Sequence, residues 1–169
     1  MVKVEKAEFQ HIDGIIKVCS EGYRDTYKET HSQEYIERTI NEFYNFERIY
    51  DEILNPDEGW DGWYVALKDE EVVGAIGGGM TGADKGEIFV LYLDPARRGE
   101  GIGTRLLEFL TDIQKEKGAV MQWVSVSKGN QKGIPFYEAR GFQMVREQKT
   151  FASEASEDYT SLRYCRKIR

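Results

Sequence analysis

The sequence predicts an α+β domain, in which helices flank a mixed, mostly antiparallel central sheet. The length of 169 residues fits one domain, so we expect residues 1–169 to form a single unit. Hydrophobic positions change along the chain from helical spacing to strand-like alternation and back. The turns between the central strands are short, which indicates antiparallel neighbours.

The first third of the chain predicts one strand followed by helices. Residues 1–9 alternate loosely between polar and apolar side chains, and helical spacing begins at Ile12. The polar and aromatic residues 23–33 predict a loop or a broken helix. Ser32 is a candidate N-cap for a second amphipathic helix that runs to Pro56.

The rest of the chain predicts a meander, two further helices and closing strands. Gly118 ends the longer of these helices, which begins near Ile102. Strands are predicted over 63–67, 72–80, 87–93, 120–126, 142–150 and 159–168, and a short helix over 130–140. Turn formers predict loops over residues 55–62 and 151–158. The element order is therefore β-α-α-β-β-β-α-β-α-β-β.

Composition excludes several classes of protein. The 23 Lys+Arg and 30 Asp+Glu residues give a net charge of −7, which argues against nucleic acid as a partner. Two cysteines and two histidines, without HExxH or CxxC, predict no metal site and fit a reducing cytosol. The longest apolar run, residues 88–93, is too short to cross a membrane. Without an apolar leader, we expect a cytoplasmic protein.

The most informative stretch is VLYLDPARRGEGIGTRLL, residues 90–107. Gly99, Gly101 and Gly103 follow Arg97 and Arg98 and open a helix. Unpaired amides and the positive end of the helix dipole favour an anion there, and glycines let the backbone approach it closely. The stretch predicts a cradle for phosphate or pyrophosphate, although a lone glycine pair would more simply turn a corner. Its spacing matches neither a Rossmann fingerprint nor a Walker A loop.

Two motifs resemble those of the GNAT superfamily of N-acetyltransferases. Arg98-x-x-Gly101-x-Gly103, after a strand, resembles the coenzyme A motif, and Asn130…Phe136-Tyr137-Glu138-x-x-Gly141-Phe142 resembles the second motif. The similarity covers roughly residues 63–142 and implies the acyl-CoA N-acyltransferase fold. It also implies acetyl-CoA as the acetyl donor, without a metal.

The resemblance assigns coenzyme contacts to the backbone of a splayed strand, to the loop amides and to the following helix. These residues are Leu91, Tyr92 and Leu93; Arg98, Gly99, Glu100, Gly101, Ile102, Gly103 and Thr104; and Asn130, Phe136 and Tyr137. Glu100 departs from the family pattern, since a carboxylate beside a pyrophosphate is unfavourable unless it points to water. Phe136 could equally serve the core.

The resemblance also assigns the chemistry. Tyr137 matches the general acid that protonates the leaving sulfur, the alternative being a tyrosine that only packs. Ser125 stands where some relatives carry a glutamate, so Glu87 is the candidate base. A solvated residue at the strand edge, with deprotonation by bulk water, is the alternative.

The resemblance also implies an acceptor site built from the loop between the first two helices and from the later strands. Tyr23, Tyr27 and Glu29 combine aromatic and acidic groups that suit an amine or polyamine. Residues 24–29 (RDTYKE) resemble PaiA-type polyamine acetyltransferases, although a solvated polar face is the simpler explanation. Residues 77–79, three glycines, could open room for substrate or mark a bulge.

The expected activity is acetyl transfer to a primary amine of a small molecule. Transfer to a protein N-terminus or lysine, or a non-catalytic acetyl-CoA sensor, are the alternatives. The family also allows a homodimer.

Overall fold

The computed structural model describes residues 1–150 and 159–169, and the predicted loop at 151–158 lies outside this range. The strands are β1 Lys3–Lys6, β2 Trp63–Lys68, β3 Glu71–Gly82, β4 Lys85–Leu93, β5 Met121–Ser127, β6 Gln143–Lys149 and β7 Thr160–Lys167. The helices are α1 Ile12–Tyr27, α2 Gln33–Phe43, α3 Phe46–Leu54, α4 Ile102–Glu116 and α5 Gly133–Glu138, with 3₁₀ turns at Phe9–His11 and Pro95–Arg97.

In the described part of the chain, seven strands form one sheet in the order β1-β2-β3-β4-β5-β7-β6. Every neighbouring pair is antiparallel except β4 and β5, which are parallel. Parallel neighbours need a crossover connection, and α4 supplies it. The predicted mixed, mostly antiparallel sheet flanked by helices is therefore confirmed.

Both faces of the sheet are covered. The apolar stripe of α4, including Leu106 and Leu110, packs in one core cluster with Ile76 and Ile88. On the opposite face, Ile15 of α1 and other residues of α1 and α3 form a second cluster against β2 and β3. The site described below lies where these two layers meet the gap between β4 and β5.

The expected loop or broken helix over residues 23–33 is a break between two helices. Helix α1 continues to Tyr27, because Tyr23 and Tyr27 extend its buried face at i,i+4 spacing, and α2 begins at Gln33. The prediction for the following segment was wrong. The single helix expected up to Pro56 is two helices, since Asn45 begins α3 by accepting a 2.9 Å hydrogen bond from the Arg48 amide. The N-cap at Ser32 is confirmed by its 3.1 Å bond from the Tyr35 amide.

Candidate active site

Strand β4 leaves its parallel neighbour halfway along its length. It pairs with β5 only from Lys85 to Ile88, and beyond this point the two strands diverge. A register shift opposite Gly77 and Gly78 leaves Phe89 as an extra residue, which is a β-bulge. The predicted splaying of this strand is present, and it opens a gap in the centre of the sheet.

The backbone of β4 beyond the bulge has one paired edge and one open edge. The Asp94 amide donates to the Val73 carbonyl at 2.9 Å, so the backbone groups of Asp94 face β3. Because successive residues of a strand direct their backbone groups to opposite sides, those of Leu91 and Leu93 face the gap, whereas those of Tyr92 face β3. An open edge of this kind can pair with an extended ligand.

The glycine-rich loop has the backbone geometry that an anion cradle requires. Gly99 and Gly101 have φ values of +85° and +79°, which strongly favour glycine, and a side chain at either would meet open space. The first intrahelical bond of α4 runs from the Arg105 amide to the Gly101 carbonyl. The amides of Ile102, Gly103 and Thr104 therefore have no partner within the helix.

Charged groups around the cradle are arranged in pairs. Asp25 of α1 accepts from Lys132 at 2.6 Å and from Arg98 at 3.3 Å, and these bonds lower the pKa of its carboxyl to about 2. Glu100 lies 3.8 Å from both Lys68 and Arg97. The partners of Glu100 are thus Lys68 and Arg97, not Arg98, so the unfavourable carboxylate of the loop has cations beside it.

Helix α5 places the second motif against α4. Asn130 accepts from the Gly133 amide at 2.7 Å and so caps the start of α5. Arg140 lies over the Phe136 ring at 3.8 Å and donates to the Phe136 carbonyl and the Thr104 hydroxyl. Both Asn130 and Thr104 therefore have structural partners at the positions where coenzyme contacts were predicted.

Tyr137 is buried and faces the gap from α5. Its ring packs edge-on against Phe136 at 5.1 Å and Phe142 at 5.3 Å, so it also belongs to the core. Burial raises the pKa of the Tyr137 phenol, and the nearby Tyr27 adds to that rise. The hydroxyl therefore stays protonated at neutral pH and can act as a proton donor.

These features open into one cavity of about 780 Å³, a size typical of small-molecule sites. Tyrosines from α1 and β4 line it, together with the gap, the start of α4 and Tyr137. Tyr23 and Tyr27 are among these residues, as predicted for the acceptor side. Glu29 is exposed on the turn after α1 and does not line the cavity, so the structure does not bring it to the site.

Glu87 lies in the cavity as part of a buried ion pair. Both of its carboxylate oxygens accept from Arg163, at 2.6 and 3.0 Å, and its side chain is 7% exposed. Arg163 also donates to Ser125 and lies 5.1 Å from the centre of the Trp123 ring. The alternative of a solvated strand-edge glutamate is therefore wrong.

Residues 77–79 mark the bulge but do not open room for substrate. A side chain on Gly77 would collide with the Trp60 ring, and one on Gly79 would collide with the Gly59 carbonyl. The loop before β2 therefore lies directly on this stretch of β3, and Trp60 becomes part of the cavity wall.

Sequence reasoning missed the residues that other elements bring to the cavity. Glu52 and Arg48 come from α3, Trp60 from the following loop, and Arg163 from β7. The one available signal was the i,i+4 spacing of Arg48 and Glu52 on an amphipathic helix.

In residues 1–150 and 159–169 there is no cluster of three His, Cys, Asp or Glu side chains arranged to hold a metal ion. No helix within those residues is long and apolar enough to cross a bilayer.

Comparison with known proteins gives consistent matches. The model of the Acetyltransferase (GNAT) family matches residues 19–142. Spermidine N(1)-acetyltransferase of Thermoplasma acidophilum is 31% identical over 144 residues, which cover 85% of this chain and 89% of the relative. The crystal structure of PaiA N-acetyltransferase from the same organism in complex with coenzyme A superimposes with a TM-score of 0.84, at 26% identity over 99% of both chains. Ribosomal protein bS18-alanine N-acetyltransferase of Escherichia coli is 34% identical over 68 residues, 40% of this chain and 46% of the relative.

Proposed function

Since the chain belongs to the Acetyltransferase (GNAT) family, we propose that it transfers the acetyl group of acetyl-CoA to a primary amine of a polyamine. One observation carries this proposal: the open edge of β4, the cradle at α4 and the Tyr137 hydroxyl all meet in one aromatic cavity. The cavity thus joins a place for a long, anionic thioester to a place for an amine.

The residues around the gap fit coenzyme A. The backbone groups of Leu91 and Leu93 would pair with the amide-containing pantetheine arm, as an added strand does. The amides of residues 98–104 would hold the pyrophosphate, with the dipole of the 15-residue helix α4 favouring its charge. The open space above Gly99 and Gly101 is the room that this approach needs.

Acetyl-CoA supplies the activated acetyl thioester. The residues of the chain position the two substrates and donate or accept protons. The Tyr137 hydroxyl would donate its proton to the departing sulfur, because a thiol has a pKa of about 8.5 and its thiolate is then neutralised as it forms. Burial raises the pKa of this phenol, so the hydroxyl carries its proton at neutral pH.

The amine must lose a proton before it can attack, since its ammonium form has no lone pair. Glu87 would accept that proton directly or through water, because each carboxylate oxygen keeps a second lone pair after bonding to Arg163. Transfer of the proton to bulk water through the cavity mouth is the competing route.

Two observations favour a polyamine as the acceptor. The relative matched over most of its length is named a spermidine acetyltransferase. The cavity wall is built of tyrosine and tryptophan faces, and the carboxylates Glu52 and Glu87 also line it. Such faces attract ammonium groups and accept the methylene segments between them.

The test is acetyl transfer by the purified protein, measured as thiol release and as product mass. The panel contains spermidine, putrescine, lysine and a peptide with N-terminal alanine. We expect kcat/KM for spermidine to exceed that of every other acceptor in the panel by at least about tenfold, which is the effect of one well-placed charged contact. A higher kcat/KM for the peptide would replace the polyamine with a protein acceptor, and binding of acetyl-CoA without transfer to any amine would indicate a sensor.

A further inference from the structure

The carboxylate of Glu52 is the most unusual group in the cavity that the reaction does not use. Its side chain is 17% exposed, and its Oε1 accepts from the Trp63 indole at 2.9 Å. Burial raises the pKa of the Glu52 carboxyl, and the Trp63 bond and the Arg48 charge offset only part of this rise. The ionised carboxylate is therefore short of stabilising partners.

Among the described residues lining the cavity, the acidic side chains are Glu52 and Glu87, and they differ in how their charge is balanced. Glu87 makes two short bonds to the mostly buried Arg163. Glu52 has one 3.4 Å contact, to Arg48, whose side chain is 43% exposed. Because Arg48 is so exposed, solvent screens its attraction to Glu52, and exposed ion pairs of this kind contribute little to stability. The negative charge of Glu52 is therefore only weakly balanced within the protein, and it can attract a ligand cation.

A series of aromatic contacts runs from Glu52 to the bulge of β4, where this strand leaves β5. The indole that bonds Glu52 belongs to Trp63, whose ring centre lies 5.5 Å from that of Trp60, and Trp60 lies 5.6 Å from Phe89 at the bulge. Trp63, the partner of Glu52, belongs to β2, and β2 and β4 are separated by two strand spacings, or about 10 Å. An extended chain of about eight single bonds, each roughly 1.5 Å long, covers this distance.

We propose that Glu52 forms an ammonium subsite that binds the distal amine of a diamine or polyamine while its other amine lies at the gap beside β4. The proposal rests on the amine acetyltransferase function proposed above and names the residue that selects the substrate class. The aromatic path between the two ends would cover the methylene chain, and the charge of Glu52 would distinguish a diamine from a monoamine of equal length.

The test compares two acceptors that differ only in the distal amine, diaminoheptane and heptylamine. The wild type is expected to favour diaminoheptane by about 10- to 100-fold in kcat/KM, the range of one charge-assisted contact. Glu52→Gln keeps an oxygen for the Trp63 bond and removes the charge. It should abolish the preference by raising KM for diaminoheptane, while kcat and the KM values for heptylamine and acetyl-CoA stay the same.

Two control variants separate ligand binding from a structural role. Arg48→Gln breaks the same ion pair from the other side and removes a competing cation, so the preference should be kept or increased. Glu47→Gln changes an exposed carboxylate on the same helix and should have no effect. If Arg48→Gln and Glu52→Gln lose the preference alike, the pair is structural and the proposal is overturned. A preference retained in Glu52→Gln also overturns it.

A binding measurement keeps this proposal distinguishable from the proposed function. Thermal stabilisation by diaminoheptane, without acetyl-CoA, is expected for the wild type and not for Glu52→Gln. If the wild type acetylates neither these two amines nor spermidine, the proposed function fails, and the stabilisation still decides for or against the Glu52 subsite.

Discussion

Replacing Glu87 by glutamine tests whether this residue serves the reaction or only the architecture. The Glu87–Arg163 pair has two short bonds, and its side chains are 7% and 15% exposed. Removing one partner of a buried pair costs about 3–5 kcal/mol. In Glu87→Gln, Arg163 keeps its bond to Ser125 and its position over the Trp123 ring. We therefore expect this substitution to lower the free energy of unfolding by about 2–4 kcal/mol.

Urea denaturation measures this cost. With an m-value of about 1–3 kcal/mol/M, the midpoint should fall by about 1 M or more. Arg163→Gln should cost a similar amount, and the double variant should cost clearly less than the two single changes together, because the interaction is then lost only once. The exposed pair of Lys128 and Glu147 is the control, since Glu147→Gln should change stability by less than about 0.5 kcal/mol.

Activity then separates the two roles. If Glu87 accepts the proton, Glu87→Gln should lower kcat/KM at neutral pH by about 100-fold or more, whereas Arg163→Gln, which keeps the carboxylate, should lower it much less. The loss should shrink toward pH 10, because an alkyl amine with a pKa of about 10.4 then deprotonates without help. Equal losses of kcat/KM in the two variants would refute the base role and indicate that the ion pair is purely structural.

Four further predictions concern the coenzyme side and the core. Tyr137→Phe should lower kcat by about 100-fold while the KM for acetyl-CoA stays within twofold, measured by thiol release; unchanged turnover would remove the hydroxyl from the mechanism. Gly101→Val should abolish acetyl-CoA binding in calorimetry while the circular dichroism spectrum stays folded, because the side chain would enter the open cradle; retained binding would contradict the pyrophosphate site. Gln114→Leu should cost about 2–4 kcal/mol in urea, because it removes a buried donor to the carbonyls of Gly79 and Glu87 and leaves Gln122 without that acceptor; a change below 1 kcal/mol would refute this. The pKa of Asp25 is lowered to about 2, so its contribution to stability is complete above about pH 4 and is lost as the pH falls through about 2; the wild type should lose more stability in that window than Asp25→Asn, and equal losses would contradict it.

Local patterns explain what the sequence could predict. The cradle at Gly99 and Gly101 and the helix carrying Tyr137 depend on residues within a few positions of one another, so their backbone requirements show in the sequence. The polar and aromatic residues 23–33 left a loop or a broken helix open, and α1 runs on to Tyr27 because the rings of Tyr23 and Tyr27 are buried against Tyr92 and α2. A tyrosine's burial depends on what the rest of the chain packs against it.

The missed residues depend on contacts between distant parts of the chain. Arg163 reaches Glu87 from 76 positions away in the sequence. Glu52 joins the cavity only because α3 packs against Trp63 of β2. Arg163 has no distinctive local pattern. The i,i+4 spacing of Arg48 and Glu52 indicates a helix face but not what that face contacts, so both positions could be found only in the folded chain.

The open strand at the centre of the sheet requires support from the core beneath it. The bulge at Phe89 shifts the register between β3 and β4, and beside it the carbonyls of Gly79 and Glu87 accept from the buried Gln114 of α4. A side chain on Gly78 or Gly86 would collide with this arrangement, so the glycines make room for the glutamine. Because Gln114 bonds the backbone of Glu87, the same contact that stabilises the bulge also fixes the strand that carries the candidate base. A core residue of α4 therefore positions both the open edge of β4 and the carboxylate of the candidate base.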